Sequence, residues 1–124
     1  MTFYLTIKTD RPLTHVPWID AIDITLDGKE KQCSWDYTDA SIEGCYIQYR
    51  FKGVAYYADD EEVYANGTIK KDSVITIDKD FYWTEDDEAE EFDFEIVSLD
   101  VYDYDLETYE EVELHLDWDE GRFV

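Results

Sequence analysis

The chain has 124 residues, enough for one compact domain over residues 1–124, and combines 17% aromatic residues with a net charge of -23. Such a charge excludes direct binding to DNA, RNA or an anionic membrane surface, because all three carry charge of the same sign. The aromatic content excludes a purely disordered acidic chain, since such chains are poor in aromatic and β-branched residues.

Alternation of apolar and polar residues predicts β-strands through the first part of the chain. These strands are predicted at residues 3–8, 22–26, 31–37 and 45–52. Asp27-Gly28 predicts a two-residue hairpin turn between the second and third of them. Cys33, Trp35 and Tyr37 are expected to share one face, residues 38–41 to form a loop, and residues 14–21 to form either a short helical turn or a loop.

Glycine residues mark the expected turns in the middle of the chain. Gly53 predicts a bulge, after which residues 54–57 continue the sheet. The four acids at 59–62 are expected to form a loop or a single helical turn. Asn66-Gly67 predicts a second hairpin, between residues 63–65 and 68–70, and a short strand is predicted at 74–77.

Residues 80–120 hold 19 Asp and Glu residues and no Lys or Arg. Thr84, followed by acids, predicts a helix at 85–91, because a helix N-terminus favours negative charge. A strand then follows with a bulge at Ile96-Val97, after which inward positions are expected at Val97, Leu99 and Val101. The last predicted strand directs inward Val112, Leu114, Leu116 and Trp118.

The whole pattern predicts an α+β domain dominated by β-structure: an antiparallel sheet of about seven or eight short strands with one or two short helices. The pattern does not give the strand order. Cys33 and Cys45 are expected to be unpaired, small core residues. We expect a cytoplasmic protein, because the first seventeen residues lack the apolar core of a signal peptide and no run of residues is long and apolar enough to span a membrane.

The acids of the second half are expected to form a one-signed surface for a positively charged partner. Alternate residues of a strand lie about 6.6 Å apart, whereas phosphates along one strand of B-DNA advance about 3.4 Å each. One acidic strand face therefore has about half the linear charge density of DNA. Two faces, Asp93-Glu95 and Glu113-Asp117-Asp119, would match that density if their strands pair.

Exposed tyrosines among these acids would supply the anchors that charge alone lacks. His115, on the same face, is expected to have a raised pKa because of its acidic neighbours. The candidate partner-binding residues are Glu85, Asp86, Asp87, Glu88, Glu90, Glu91, Asp93, Glu95, Tyr102, Asp103, Tyr104, Asp105, Glu107, Tyr109, Glu113, Asp117 and Asp119.

In size, charge and aromatic content the chain resembles small acidic inhibitors encoded by phages, the DNA mimics that include many anti-CRISPR and anti-restriction proteins. The resemblance extends mainly over the second half, and it assigns no residue roles because these inhibitors share no common fold. It implies a non-enzymatic inhibitor in the cytoplasm of a bacterial host, without a cofactor. The implied partner is a basic nucleic-acid-binding protein, such as a CRISPR nuclease or its guide-RNA complex.

Three alternatives stay open. An immunity protein or antitoxin would neutralise a basic nuclease by the same electrostatics. A divalent-metal-binding or carboxylate-based enzyme is the second, although the EF-hand pattern fails from Asp78 and from Asp103, and the spacing of histidines and cysteines resembles no common zinc site. An assembly protein of a phage or mobile element is the third, and self-association without a basic partner would favour it.

Overall fold

The computed structural model describes residues 1–84, 91–104 and 107–124, which form ten strands and no helix. The strands are β1 (Thr2–Thr9), β2 (Ile19–Leu26), β3 (Lys29–Glu43), β4 (Tyr46–Ala58), β5 (Glu61–Tyr64), β6 (Ile75–Ile77), β7 (Tyr82–Trp83), β8 (Phe94–Tyr104), β9 (Glu111–Asp117) and β10 (Arg122–Phe123). In this part of the chain there is accordingly no helix that could cross a membrane.

The predicted antiparallel, β-dominated fold is confirmed, and the predicted helices are not. Residues 85–90 of the expected helix lie outside the described residues, and Glu91 belongs to no helix. The strands number ten rather than seven or eight, and β3, β4 and β8 are long, with 15, 13 and 11 residues.

The strands form one antiparallel sheet in the order β10-β9-β8-β1-β4-β3-β2-β6, with β5 added to β4 and β7 to β2. Its two ends approach each other, because Val74, just before β6, forms a bridge with Arg122 of β10. Nearby, the backbone N–H of Ile75 donates to the carbonyl of Gly121 at 2.9 Å, and the N–H of Phe123 to that of Ser73 at 3.0 Å. The sheet therefore nearly closes on itself, and the core lies inside it.

Inward side chains from neighbouring strands fill this core. Among the most deeply buried are Leu5 and Ile7 of β1, Ile47, Tyr49 and Phe51 of β4, Val101 of β8 and Phe123 of β10. An alternation of buried apolar residues with polar residues predicts β1, β2 and β9 from the sequence, and these three strands are confirmed. Trp118, predicted to point inward, is exposed because β9 ends at Asp117 and the chain turns there.

The turn residues fix which strands become hairpins. Asp27 and Gly28 both have positive φ, 49° and 82°, as a type I′ turn requires, so the hairpin predicted there is confirmed. Asp59 and Asp60 also have positive φ and join β4 to β5. The loop or helical turn predicted at 59–62 is therefore wrong for its second half, which is strand.

The hairpin predicted around Asn66-Gly67 is wrong as well. A turn forms there, with the N–H of Thr68 donating to the carbonyl of Ala65 at 3.1 Å. Residues 68–70 are not a strand, because the strand before the turn, β5, takes β4 as its partner instead. The loop predicted at 38–41 is also wrong, since small and polar residues such as Ala40 and Ser41 continue β3 without strong apolar contrast.

The bulge predicted in β8 is confirmed. Thr6 pairs with Ser98 whereas Ile7 pairs with Ile96, so Val97 is the extra residue. The bulge keeps Ile96 and Leu99 in contact with the core although three positions separate them. Val97 itself is exposed, so its predicted inward position is wrong.

A second irregularity lies where Gly53 of β4 faces Asp36 of β3. Phe51 and Val54 are both buried, at an odd spacing that regular strand alternation does not allow. Trp35 pairs with Val54 before this point and Tyr37 with Lys52 after it, so the register between β3 and β4 does not change. Both strands therefore change face together, with Asp36 and Gly53 as the extra residues. The change of face lets Trp35 stack on Phe51 with ring centroids 3.8 Å apart. It also turns Tyr37 outward, away from the face predicted for it.

Candidate functional site

The outward side chains of β8 and β9 form a continuous surface, which we call the β8–β9 strip. It comprises Asp100, Tyr102 and Tyr104 of β8 and Glu111, Glu113, His115 and Asp117 of β9. The two strands pair directly along it, with Asp100 opposite His115, Tyr102 opposite Glu113 and Tyr104 opposite Glu111. Acidic residues thus alternate with apolar core residues on β9, which is why the sequence folds with its carboxylates on the outside.

Tyrosine hydroxyl groups hold two of these carboxylates in place. The hydroxyl of Tyr102 donates to Oε1 of Glu113 at 2.9 Å, and that of Tyr104 to Oε1 of Glu111 at a longer 3.4 Å. The hydrogen bond to Glu113 raises the pKa of Tyr102, because the carboxylate favours the protonated phenol. The ring of Tyr102 also contacts Tyr4 of β1 edge-on, with centroids 5.2 Å apart. These contacts restrict the positions that the two carboxylates can take.

His115 lies between two carboxylates of the strip, Asp100 and the same Glu113 that Tyr102 contacts. Its Nδ1 lies 2.6 Å from Oδ1 of Asp100, and its Nε2 lies 3.3 Å from Oε1 of Glu113. The hydrogen bond to Asp100 raises the pKa of His115, and the negative charges of Asp100 and Glu113 add to this effect. Both ring nitrogens therefore face carboxylates, and these contacts fix the orientation of the imidazole between Asp100 and Glu113.

The end of the strip is a turn held by Asp117. Its Oδ1 accepts hydrogen bonds from the backbone N–H groups of Asp119 at 3.0 Å and Glu120 at 3.4 Å. Asp119 is exposed beside it. Arg122, the only Lys or Arg from residue 80 onward, pairs with Glu120, with Nε 2.8 Å from Oε2. The charge of this base is therefore offset locally.

The predicted residues at the start of β8 lie beside β1 rather than β9. Glu95 is opposite Lys8 in the register, and the backbone of Asp93 accepts a hydrogen bond from the N–H of Asp10 at 2.9 Å. Glu91 is exposed, and its carbonyl accepts a hydrogen bond from the guanidinium of Arg11. Asp93 and Glu95 therefore do not pair with the acids of β9, and the doubled charge density expected from two paired acidic faces does not arise. The strip keeps about half the linear charge density of a DNA strand.

Asp103 occupies a sheltered position instead of the strip. Its side chain is 8% exposed, and its Oδ2 accepts a hydrogen bond from the backbone N–H of Gly67 at 2.6 Å. Oδ1 lies 3.7 Å from the amino group of Met1. Asp103 thus ties the turn at Gly67 to β8, and its carboxylate is engaged within the protein.

The predicted tyrosine anchors are exposed. Tyr102, Tyr104 and Tyr109 have relative exposures of 40%, 57% and 83%. Glu107 lies on the surface in the same connection between β8 and β9. Of the other predicted residues, those outside the described residues are Glu85, Asp86, Asp87, Glu88, Glu90 and Asp105.

Three residues of the strip are absent from the predicted set of partner-binding residues: Asp100, Glu111 and His115. Glu111 alternates with Val112 in the same way as Glu113, and this pattern is visible in the sequence. Asp100 and His115 become recognisable as partners only once the register of β8 and β9 is known.

The distribution of charge over the sheet is uneven. Residues 1–79 contain 14 acids and nine Lys or Arg residues, whereas residues 80–124 contain 19 acids and one Arg. Because β10, β9 and β8 are neighbours at one end of the strand order, the acids that they carry lie in the same part of the sheet. The adjacent outer faces of β1 and β4 carry the bases Lys8, Arg50 and Lys52.

The cysteines and acids provide no recognisable metal centre within the described ranges. In residues 1–84, 91–104 and 107–124, no three His, Cys, Asp or Glu side chains are arranged to hold a metal ion. Both cysteines are free, as predicted. Burial raises the pKa of the Cys33 thiol to about 11, which keeps it protonated and unreactive at neutral pH. Cys45 lies in the turn between β3 and β4 rather than in the core.

The chain matches no protein-family model, no curated protein and no solved structure.

Proposed function

We propose that this protein is a non-enzymatic inhibitor that places the β8–β9 strip in the basic groove of a nucleic-acid-binding protein. The partner we favour is a bacterial defence nuclease of the CRISPR effector type, where the strip would occupy the position of nucleic acid. The observation that supports this most is the fixing of carboxylates by Tyr102, Tyr104 and His115. An acidic surface that is already ordered loses less conformational entropy on binding than a mobile one.

Charge and aromatic contacts would have separate roles in this complex. The excess negative charge on the side formed by β8, β9 and β10 attracts a cationic groove over a long range, which raises the association rate and makes it sensitive to salt. The exposed rings of Tyr104 and Tyr109 supply apolar contact area of the kind that dominates binding energy at protein interfaces. Because the strip has only about half the charge density of DNA, these rings are needed for tight binding.

Charge reversal on the strip tests the proposal. The variant Glu111→Lys/Glu113→Lys/Asp119→Lys removes two acids of the strip and the exposed acid beside its end, and it spares Asp117, whose carboxylate holds the turn. The matched control Glu30→Lys/Glu61→Lys/Glu62→Lys changes the net charge equally, at exposed positions on β3 and β5. Both are assayed for binding to a panel of CRISPR effectors and for displacement of their DNA or guide RNA. We expect the strip variant to lose at least about tenfold more affinity than the control, which corresponds to 1.4 kcal/mol.

The salt dependence separates a nucleic-acid mimic from other inhibitors. Binding by the wild-type protein should weaken steeply as sodium chloride increases, because screening acts on the attraction between the strip and the groove. Equal losses in the two triple variants, or binding that leaves nucleic-acid loading intact, would refute the mimic mechanism. A complex that keeps its affinity at high salt would refute it as well.

A further inference from the structure

β3 has a long edge without a strand partner. It pairs with β4 from Cys33 to Glu43, but with β2 only from Lys29 to Cys33. β2 leaves β3 at this point and pairs with β7 through Ile19 and Ala21. Beyond Cys33, the second edge of β3 therefore pairs with no other described strand, and no described loop forms a backbone hydrogen bond with it.

The hairpin turn determines which backbone groups face this edge. A two-residue turn at Gly44 and Cys45 joins β3 to β4, so Glu43 and Tyr46 form a hydrogen-bonded pair. Odd-numbered residues from Tyr37 to Glu43 thus bond to β4. The even-numbered residues Thr38, Ala40 and Ile42 direct their N–H and carbonyl groups toward the open edge. Consistent with this, the N–H of Ala40 donates to its neighbour, Oδ1 of Asp39, at 2.9 Å.

We propose that this edge pairs with the same edge of a second copy of the chain, antiparallel about a two-fold axis at Ala40. In this register Tyr37 lies opposite Glu43 of the other copy, Asp39 opposite Ser41, and Thr38 opposite Ile42. Every outward carboxylate then faces a hydroxyl group across the interface. The same kind of tyrosine–carboxylate pair joins neighbouring strands within one chain at Tyr102–Glu113, Tyr104–Glu111 and Tyr82–Asp23.

Other registers bring like charges together. An axis at Asp39 places the two Asp39 carboxylates opposite each other, and an axis at Ser41 places Asp39 opposite Glu43. Like charges directly opposite on paired strands are destabilising. An axis at Thr38 would extend the pairing past Asp36, where β3 changes face. Among these four axes, the one at Ala40 combines a seven-residue overlap, Tyr37 to Glu43, with hydroxyl–carboxylate pairs.

Salt controls this association in the opposite sense to partner binding. Each copy carries a net charge of -23, and the resulting repulsion opposes dimerisation. The screening length falls from about 10 Å at 0.1 M ionic strength to about 3 Å at 1 M, so added salt favours the dimer. The β8–β9 strip is separated from β3 by β1 and β4, so self-pairing and partner binding use different surfaces.

Sedimentation of the full chain in increasing sodium chloride measures the association. We expect the mass to shift from 14.8 kDa toward twice that value. The variant Ala40→Pro should stay monomeric at every salt concentration, because proline removes an edge N–H while leaving the bonds to β4 intact. Circular dichroism of this variant checks that the sheet is retained.

A cysteine scan in a Cys45→Ser background tests the register. Ala40→Cys lies opposite itself at the two-fold axis, where the Cα separation of about 5.5 Å for a hydrogen-bonded pair suits a disulfide. Thr38→Cys, which points to the same side of β3, is the matched control, since it lies opposite Ile42. We expect a covalent dimer from Ala40→Cys and little or none from Thr38→Cys.

Several results would overturn the inference. These are a monomeric wild-type protein at all salt concentrations, a dimer that persists in Ala40→Pro, and equal cross-linking by the two cysteine variants. A wild-type monomer whose capture of a basic partner is weakened by Ala40→Pro would assign the edge to a strand of that partner instead. A dimer that fails to bind any basic partner would refute the proposed function and leave the self-pairing intact.

Discussion

His115 couples the stability of the strip to pH. The pKa of His115 is raised above its ordinary value of 6.5, chiefly by the hydrogen bond to Asp100, so the folded state binds this proton more tightly than the unfolded state. The resulting stabilisation is fully present below the unfolded pKa and is lost as pH rises through the folded pKa. We expect Asp100→Asn to lower the pKa of His115 in an NMR titration of the ring protons.

The pH dependence of unfolding provides the matching thermodynamic measurement. The difference in melting temperature between the wild type and Asp100→Asn should be larger near about pH 5.5 than near about pH 9. His115→Gln serves as the control, since in this background Asp100→Asn should no longer show that pH dependence. An unchanged His115 pKa in Asp100→Asn would contradict the assigned cause.

Gly53 has both a positive φ and a close neighbouring side chain, whereas Gly28 has only the positive φ. Both have positive φ, 64° and 82°, where a side chain is strained. A Cβ at Gly53 would also lie 2.9 Å from Oδ2 and 3.1 Å from Cβ of Asp36, whereas a Cβ at Gly28 meets no atom within 4 Å. We expect Gly28→Ala to reduce the free energy of unfolding by about 1 kcal/mol and Gly53→Ala by about 2–3 kcal/mol, measured by urea denaturation.

The double variant Gly53→Ala/Asp36→Ala distinguishes the contact from the backbone strain. Removing the Asp36 carboxylate should recover part of the difference between the two glycine variants. Equal losses at Gly28 and Gly53 would show that the approach of Asp36 has no energetic effect.

At the level of elements, the bulge in β8 allows a deletion that a regular strand does not tolerate. Removing Val97 leaves Ile96 and Leu99 two positions apart, which restores simple alternation and keeps both side chains inward. We expect this deletion to cost about 1 kcal/mol or less, because no buried side chain changes face.

Deletion of Gln48 is the matched control, since it removes an exposed residue from a regular part of β4. There the residues on one side of the deletion exchange core and solvent faces, so the chain should fail to fold. Thermal melts followed by circular dichroism compare the two proteins. If the protein without Val97 fails to fold, the bulge does more than set which residues of β8 face the core.

Sequence pattern predicts those elements in which buried and exposed residues contrast strongly. Leu5 and Ile7 of β1 and Leu114 and Leu116 of β9 alternate with polar residues, and both strands form as predicted. The first half of β5, Glu61 and Glu62, is acidic, so its propensity indicates a loop, and it forms a strand because β4 offers a partner. Tertiary pairing overrides local propensity in that case.

The candidate site shows the same division. Alternation places Glu113 and Asp117 on the outer face of β9, as predicted. The contacts of Tyr102 with Glu113 and of Asp100 with His115 depend on the register between strands, which a single sequence does not contain. The strip is therefore predictable as an acidic face and not as a set of positioned pairs.

At the scale of the whole molecule, self-repulsion should dominate the salt response. A net charge of -23 destabilises the compact state more than the expanded one, and ions screen this repulsion. We expect the melting temperature to rise by several degrees between about 0.02 M and about 0.5 M sodium chloride. Sodium sulfate at equal ionic strength is the control, because it separates screening from the exclusion of salt from the protein surface.

A response to sulfate alone would show that screening is a minor contribution. A melting temperature that falls with chloride would indicate that attractive ion pairs outweigh the repulsion.

The position of β1 in the sheet governs how the chain reaches its folded state. β1 lies between β4 and β8, so Phe3 pairs with Phe51 on one side and with Val101 on the other. During synthesis β1 can pair with β8 only after the intervening strands β2 to β7 have been made, and contacts between residues so distant in sequence slow folding. The segment that completes the sheet also brings most of the negative charge. The nascent protein therefore acquires its acidic face only in the step that finishes its core.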